Sequence, residues 1–119
     1  MPKIYWMTGY NIKPGKHGAY KTLLKSKGFK KMCADVEKET GMRYVETYMA
    51  IIPSSSEEGD YEAYDFWELP NHAAMDKIRG SSAMPKLMES FHDLVEPRPT
   101  KSIVLRRASD TKILFEPKK

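Results

Sequence analysis

Ile4-Tyr5-Trp6-Met7-Thr8-Gly9-Tyr10-Asn11-Ile12-Lys13-Pro14-Gly15-Lys16 is the stretch that decides the fold. Aromatic and β-branched residues dominate its first part, as in a strand. Pro14-Gly15 then marks a turn, and a long charged pattern with helical spacing follows. A looser copy comes later, where Tyr64-Asp65-Phe66-Trp67-Glu68-Leu69 runs into Pro70-Asn71 and another helical pattern. Two strand-to-helix units in one short chain predict a split β-α-β architecture. That arrangement serves enzymes, ligand carriers and RNA-binding modules alike, so it leaves function open.

Working outward, residues 4–12 form a first strand with two unlike faces. Ile4, Trp6, Thr8, Tyr10 and Ile12 share one, and Tyr5, Met7, Gly9 and Asn11 share the other. Both carry bulk, whereas a strand with one wet face alternates apolar and polar, so cover is expected on both sides. A helix at 16–40 follows, with Gly41 as its C-terminal cap. Its apolar stripe changes phase: Tyr20, Leu23 and Leu24 lie almost half a turn from Phe29, Met32, Cys33 and Val36. A kink or a new packing partner is therefore expected at Gly28.

A second strand is predicted at 42–52, stopped by Pro53, with a polar hairpin loop at 54–60 and a third strand at 61–69. Asn71 can cap the next helix. That helical region should come in two pieces parted by Gly80-Ser81-Ser82, with Pro85 in the first turn of the second. Met84, Leu87, Met88, Phe91, Leu94 and Val95 fit the helical template for the second piece, which Pro97 and Pro99 end. A fourth strand at 101–108, a turn at Ser109-Asp110 and a short extra strand at about 111–115 complete the chain.

The chain has 119 residues, with 20 basic against 16 acidic and a net charge of +4. This length suits a single domain over residues 1–119. The cluster Lys21, Lys25, Lys27, Lys30 and Lys31 spreads over more than one helix side and reads as a solvated surface rather than a phosphate track. One cysteine, Cys33, allows no internal disulfide and fits a reducing compartment. No apolar run reaches the roughly 20 residues of a membrane span. A strand begins almost at once, without signal-peptide pattern, so a cytoplasmic protein with no membrane partner is expected.

The resulting order is β-α-β-β-α-β, an α+β fold in which helices cover one face of an antiparallel sheet. The uncovered face would carry Tyr5, Met7 and alternate residues of 44–52, an apolar area that a lone protomer would leave exposed. A homodimer joined sheet to sheet relieves it. With Ile12-Lys13-Pro14-Gly15-Lys16 entering helix one, Gly41-Met42-Arg43-Tyr44 leaving it and Phe66-Trp67-Glu68-Leu69-Pro70 opening helix two, residues 3–108 resemble the dimeric α/β-barrel superfamily of ferredoxin-like proteins. That superfamily includes the antibiotic-biosynthesis-monooxygenase, NIPSNAP and EthD-like families. The resemblance implies a barrel shared between protomers and a site between each protomer's sheet and helices. Haem-degrading members carry an asparagine on strand one and a tryptophan and a histidine on helix two. Here Thr8 takes the first position, Trp67 belongs to the preceding strand, Met88 stands where the histidine would, and His92 lies a turn further on. The resemblance therefore does not extend to haem degradation.

Candidate chemistry rests on few residues. His92 borders the stripe of helix two and is a candidate acid or base. Asp65 is the unexpected acid among aromatics, on a face with Trp67 and Leu69; buried, it would have a raised pKa and could act as base, or it could hold a structural hydrogen bond. Trp6, Thr8 and Tyr10, with Tyr48, Trp67, Met84 and Met88, fit either a pocket lining with a few hydroxyls or plain core. His72 and His17 read as a capping or surface residue and a surface residue. Arg106 and Arg107 read as surface charge or carboxylate partners. Histidine and cysteine spacing supplies no metal motif, and no phosphate loop or nucleophile triad occurs, so no cofactor is expected.

The leading reading is thus a dimer whose apolar pocket binds an aromatic, polyketide-like or fatty-acid-like molecule, with cofactor-free monooxygenase- or isomerase-like catalysis by His92 or Asp65 as its enzymatic form. A non-catalytic binding or assembly module on the same fold is the alternative. An RNA-recognition module shares the element order, but Ala63-Tyr64-Asp65-Phe66 puts an acid where its second motif needs an aliphatic residue, so no nucleic-acid partner is expected.

Overall fold

The computed structural model describes residues 3–50, 61–107 and 109. The predicted loop at 54–60, the end of the second strand at 51–52 and the extra strand at about 111–115 lie outside them, as does Asp110 of the predicted turn. Chain order is β1 (Ile4–Tyr10), α1 (His17–Lys25), α2 (Lys27–Thr40), β2 (Arg43–Met49), β3 (Ala63–Leu69), α3 (Ala73–Arg79), α4 (Ala83–Ser90) and β4 (Lys101–Arg106). The strands form one antiparallel sheet in the order β2-β3-β1-β4, with β1 and β3 at its centre. This is the ferredoxin-like α+β arrangement.

Register sorts the side chains. Ile4, Trp6, Thr8 and Tyr10 stand opposite Leu69, Trp67, Asp65 and Ala63, on the face covered by helices. Tyr5 and Met7 stand opposite Glu68 and Phe66 on the other face. Ile4, Leu69, Trp67, Phe29, Val36 and Met42 form the main core. Tyr10, Ile12, Tyr20 and Ala63 form a second cluster beside it.

The expected kink in the first helical region falls at Ser26, not at Gly28, which lies inside α2. Ser26 leaves helical geometry at φ −74° and ψ 152°, and its Oγ accepts from the Phe29 N–H at 3.1 Å while donating to the Leu23 carbonyl at 2.7 Å. A serine that caps one helix while closing another sets the boundary more firmly than a glycine's freedom does. α2 ends as expected at Gly41, whose φ of +82° few other residues adopt.

The second helical region is parted at residues 80–82, as read from Gly80-Ser81-Ser82. Glu39 at the end of α2 accepts from both serine hydroxyls and from the Ala83 N–H, pinning the start of α4 to α2. Those bonds, led by that of Ser82, hold the Glu39 carboxyl down to about 2. Asn71 does cap α3, accepting from the Ala74 N–H at 3.1 Å. The helix expected to reach Val95 stops at Ser90. Beyond it the backbone is claimed by the segment just after β1: Lys13 N–H donates to the Leu94 carbonyl, Glu96 N–H donates to the Asn11 carbonyl, and Ile12 bridges Val95. These tertiary bonds override the helical spacing of Leu94 and Val95.

β2 carries a bulge. Tyr44 opposes Trp67, yet Glu46 opposes Phe66, so Val45 is an extra residue and parity reverses after it. Tyr44, Thr47 and Met49 consequently share the covered face, and Glu46 and Tyr48 the open one. Among the described residues no helix is long and apolar enough to cross a membrane.

Candidate functional site

Between the covered face of the sheet and α4 with the segment after it lies a cleft of about 260 Å³. Trp6, Thr8 and Tyr10 of β1 form one wall with Asp65 and Trp67 of β3, and Met84, Leu87, Met88 and Phe91 form the opposite one. Strand alternation aims the first set inward, and the i, i+3, i+4 spacing of α4 aims most of the second. Glu96, Thr100, Lys101 and Ser102 add polar groups to the lining.

Asp65 is the focus of the polar groups here. Tyr10 Oη donates to its Oδ1 at 2.8 Å, and Thr47 Oγ1 donates to the same oxygen at 2.6 Å. With its one proton so used, Tyr10 must accept from Tyr20 Oη at 2.5 Å, and by the same reasoning Thr47 accepts from Tyr44 Oη at 2.5 Å. Two relays, Tyr20–Tyr10 and Tyr44–Thr47, thus point every hydroxyl proton at one carboxylate oxygen. Such aligned dipoles reinforce one another. Oδ2 accepts no hydrogen bond among the described residues, and no fully buried side-chain oxygen or nitrogen there lacks a partner, so Oδ2 is not sealed off; Asp65 itself lines the cleft.

The electrostatics follow from what is absent around the acid. No cation pairs with Asp65 among the described residues. Burial pushes its carboxyl up to about 6, against the opposing pull of the Thr47 and Tyr10 hydrogen bonds. Burial also raises the Tyr44 phenol to about 12, with Asp65 adding to the shift. Tyr10 and Tyr20 are raised above the ordinary phenol range, first by burial and then by the Asp65 charge, so all three phenols stay protonated as donors. The result is a carboxylate that changes charge near neutrality, with one lone-pair-bearing oxygen free to take a proton from a guest.

The expected residues divide clearly. Asp65, Trp6, Thr8, Tyr10, Trp67, Met84 and Met88 all line the cleft. Tyr48 does not: it is 56% exposed on the opposite face, packed edge-on against Phe66, because the bulge at Val45 reverses the parity of β2. His92 does not either. Ending α4 at Ser90 leaves it exposed on the following turn, outside the lining. His17 pairs with Glu62 at 2.6 Å and His72 meets Arg106 at 3.1 Å, both at the surface. Arg107 lies over the Tyr5 ring at 5.9 Å, so neither arginine lines the cleft. Sequence reasoning missed Tyr20, Tyr44 and Thr47; Tyr20 was readable only as part of an apolar stripe. No cluster of three potential metal ligands occurs among the described residues.

The sequence matches no protein-family model and no curated protein. Solved structures are more informative. A NIPSNAP family protein of unknown function from Agrobacterium tumefaciens superposes with a TM-score of 0.62 at 14% identity, covering 90% of this chain and 89% of that one. A dimeric protein of unknown function and ferredoxin-like fold from Bacteroides fragilis gives 0.58 at 8% identity, covering 87% and 95%. An uncharacterised NIPSNAP-like domain protein from Burkholderia xenovorans gives 0.58 at 12%, covering 98% and 90%. At these identities the likeness is one of fold, and it meets the resemblance read from the strand-to-helix joins: the chain has the ferredoxin-like fold seen in NIPSNAP-type and dimeric ferredoxin-like proteins.

Proposed function

We propose that the Asp65 cleft binds a small hydrophobic molecule, aromatic, polyketide-like or fatty-acid-like, by one polar group donated to Asp65 Oδ2. One observation carries this reading: a carboxylate with one oxygen that no described residue donates to lines a cleft whose other walls are chiefly Trp, Met, Leu and Phe side chains. A volume of about 260 Å³ lies just below the common range for ligand pockets, which favours a small guest or one whose tail passes the exposed Met88. A hydroxyl or acidic C–H held at Oδ2 is also where a cofactor-free monooxygenase- or isomerase-like reaction would begin, with Asp65 as base. The non-catalytic alternative uses the same hydrogen bond without proton transfer.

Native mass spectrometry of the gently purified protein tests the binding reading. About one small molecule per chain is expected in the parent protein and its loss in Thr8→Phe, which fills the cleft. A parent protein that carries no guest and gives no cleft shifts in an NMR screen of phenols and medium-chain acids contradicts the reading. Turnover that falls with Asp65→Asn while the guest still binds separates catalyst from carrier.

The same proposal includes a second copy on the open sheet face. Tyr5, Met7 and Phe66 are half-buried there and Tyr48 is exposed, and a solved structure of this fold is described as dimeric. Sedimentation should give a dimer for the parent chain and a folded monomer for Met7→Asp. A monomeric parent in dilute buffer rejects it.

A further inference from the structure

A second concavity lies beside the first on the covered side of the sheet, towards the β2 edge. α1, α2 and β2 enclose a groove of about 530 Å³, more open than the Asp65 cleft and sharing no lining residue with it. Aromatic rings separate the two. Phe29 and Tyr44 line the groove and pack edge-on at 5.2 Å; behind them, at 5.8 and 5.2 Å, stand Phe91 and Trp67 of the cleft.

The groove's chemistry is that of an amphiphile site. Its floor is Leu24, Phe29 and Tyr44, and the bulge in β2 adds Val45, which is 39% exposed although large and apolar. Bulges of this kind re-aim a side chain at a site. Over that floor stand Lys21 and Lys25, one turn apart on α1, and Lys30 on the first turns of α2, brought round the corner by the break at Ser26. None of the three makes an ion pair among the described residues, whereas Lys31 is paired with Asp35. Glu46 and Glu37 also line the groove, but Glu46 Oε1 accepts from the Thr47 N–H, and Glu37 lies about 10 Å further along α2 than Lys30. Of the lysine cluster that reads as solvated surface spread over more than one helix side, the fold thus gathers three members at an apolar floor.

We infer that this groove binds a small amphipathic anion, its apolar body on Phe29, Tyr44 and Val45 and its acid group among Lys21, Lys25 and Lys30. Lysine stems close over the body while the ammonium groups meet the acid. The site is independent of the guest proposed for the Asp65 cleft, and the wall of rings lets the two be tested apart.

The test is titration of the ¹⁵N-labelled protein with sodium decanoate below its micellar concentration, with decanol and anionic phospholipid vesicles as parallel arms. Decanoate should shift the amides of Leu24, Ala34 and Val45, bind more weakly as salt rises, and bind roughly tenfold more weakly to the triple variant Lys21→Gln/Lys25→Gln/Lys30→Gln. Val45→Asp should weaken it too, and decanol should bind less well than decanoate. The inference is overturned if shifts fall only on cleft residues such as Thr8 and Leu87, if decanol matches decanoate, if the folded triple variant binds as the parent does, or if only vesicles produce a response.

Discussion

β3 carries two acids three residues apart, and the contrast between them describes the molecule. Asp65 faces the helices and is held by neutral hydroxyls alone; Glu68 faces away and is held by Lys3 at 2.6 Å and Arg43 at 2.7 Å. The first has its carboxyl raised to about 6 by burial, and the second has its carboxyl lowered, chiefly by the Lys3 hydrogen bond. One strand therefore presents a poised acid to the cleft and a neutralised one to the open face. What separates them is the partners each carboxylate has: Asp65 is held by uncharged hydroxyls and Glu68 by two cations.

The largest expected effect comes from opening the covered face. Trp67→Ala removes a buried ring that touches Tyr44 and lines the cleft, and should lower stability by about 3–5 kcal/mol in urea unfolding. Loss below about 1 kcal/mol would mean the covered face is not the core.

Next is the pH dependence. Folded Asp65 binds its proton more tightly than the unfolded chain does, so its contribution falls as pH rises from 3.8 to about 6 and is constant outside that window. Between the two ends of the window the stability difference between parent and Asp65→Asn should move by about 2–3 kcal/mol in the variant's favour. Glu68 acts in the opposite sense: its stabilisation is present at neutral pH and is lost as pH falls through its lowered value. Glu68→Gln should thus weaken the protein at neutral pH and cease to matter in acid. Matching pH profiles for the two variants would erase the contrast.

Tyr10→Phe removes one donor to Asp65 and strands the Tyr20 hydroxyl; about 1–3 kcal/mol should be lost at pH 7. Ser26 bonds to neither acid, and Ser26→Ala should remove the cap of α2 and the bond to the Leu23 carbonyl together, about 1 kcal/mol in thermal or urea unfolding.

The covered face was legible in the sequence where alternation was unbroken. Trp6, Thr8, Tyr10, Asp65 and Trp67 lie where period two puts them, because β1 and β3 pair without irregularity. Asp65 stood out as an acid among aromatics. β2 was not legible in this way: nothing local marks Val45 as a bulge, so Tyr48 reads as inward and Thr47 as outward, the reverse of what the register imposes. His92 was misplaced for a different reason. Its helix is cut short by backbone bonds that Lys13 donates and Asn11 accepts, partners about 80 residues away in sequence that no local pattern reveals. Tyr20 sat in an apolar stripe, and only the meeting of α1 with β1 turns its hydroxyl into part of a relay.

The most direct test is a ¹³C NMR titration of the Asp65 carboxyl in the folded protein. A midpoint near 6, shifted further by Thr47→Val as a hydroxyl that favours the charge is removed, is the predicted result. A midpoint near 3.8, the value of an ordinary aspartate, would contradict the account.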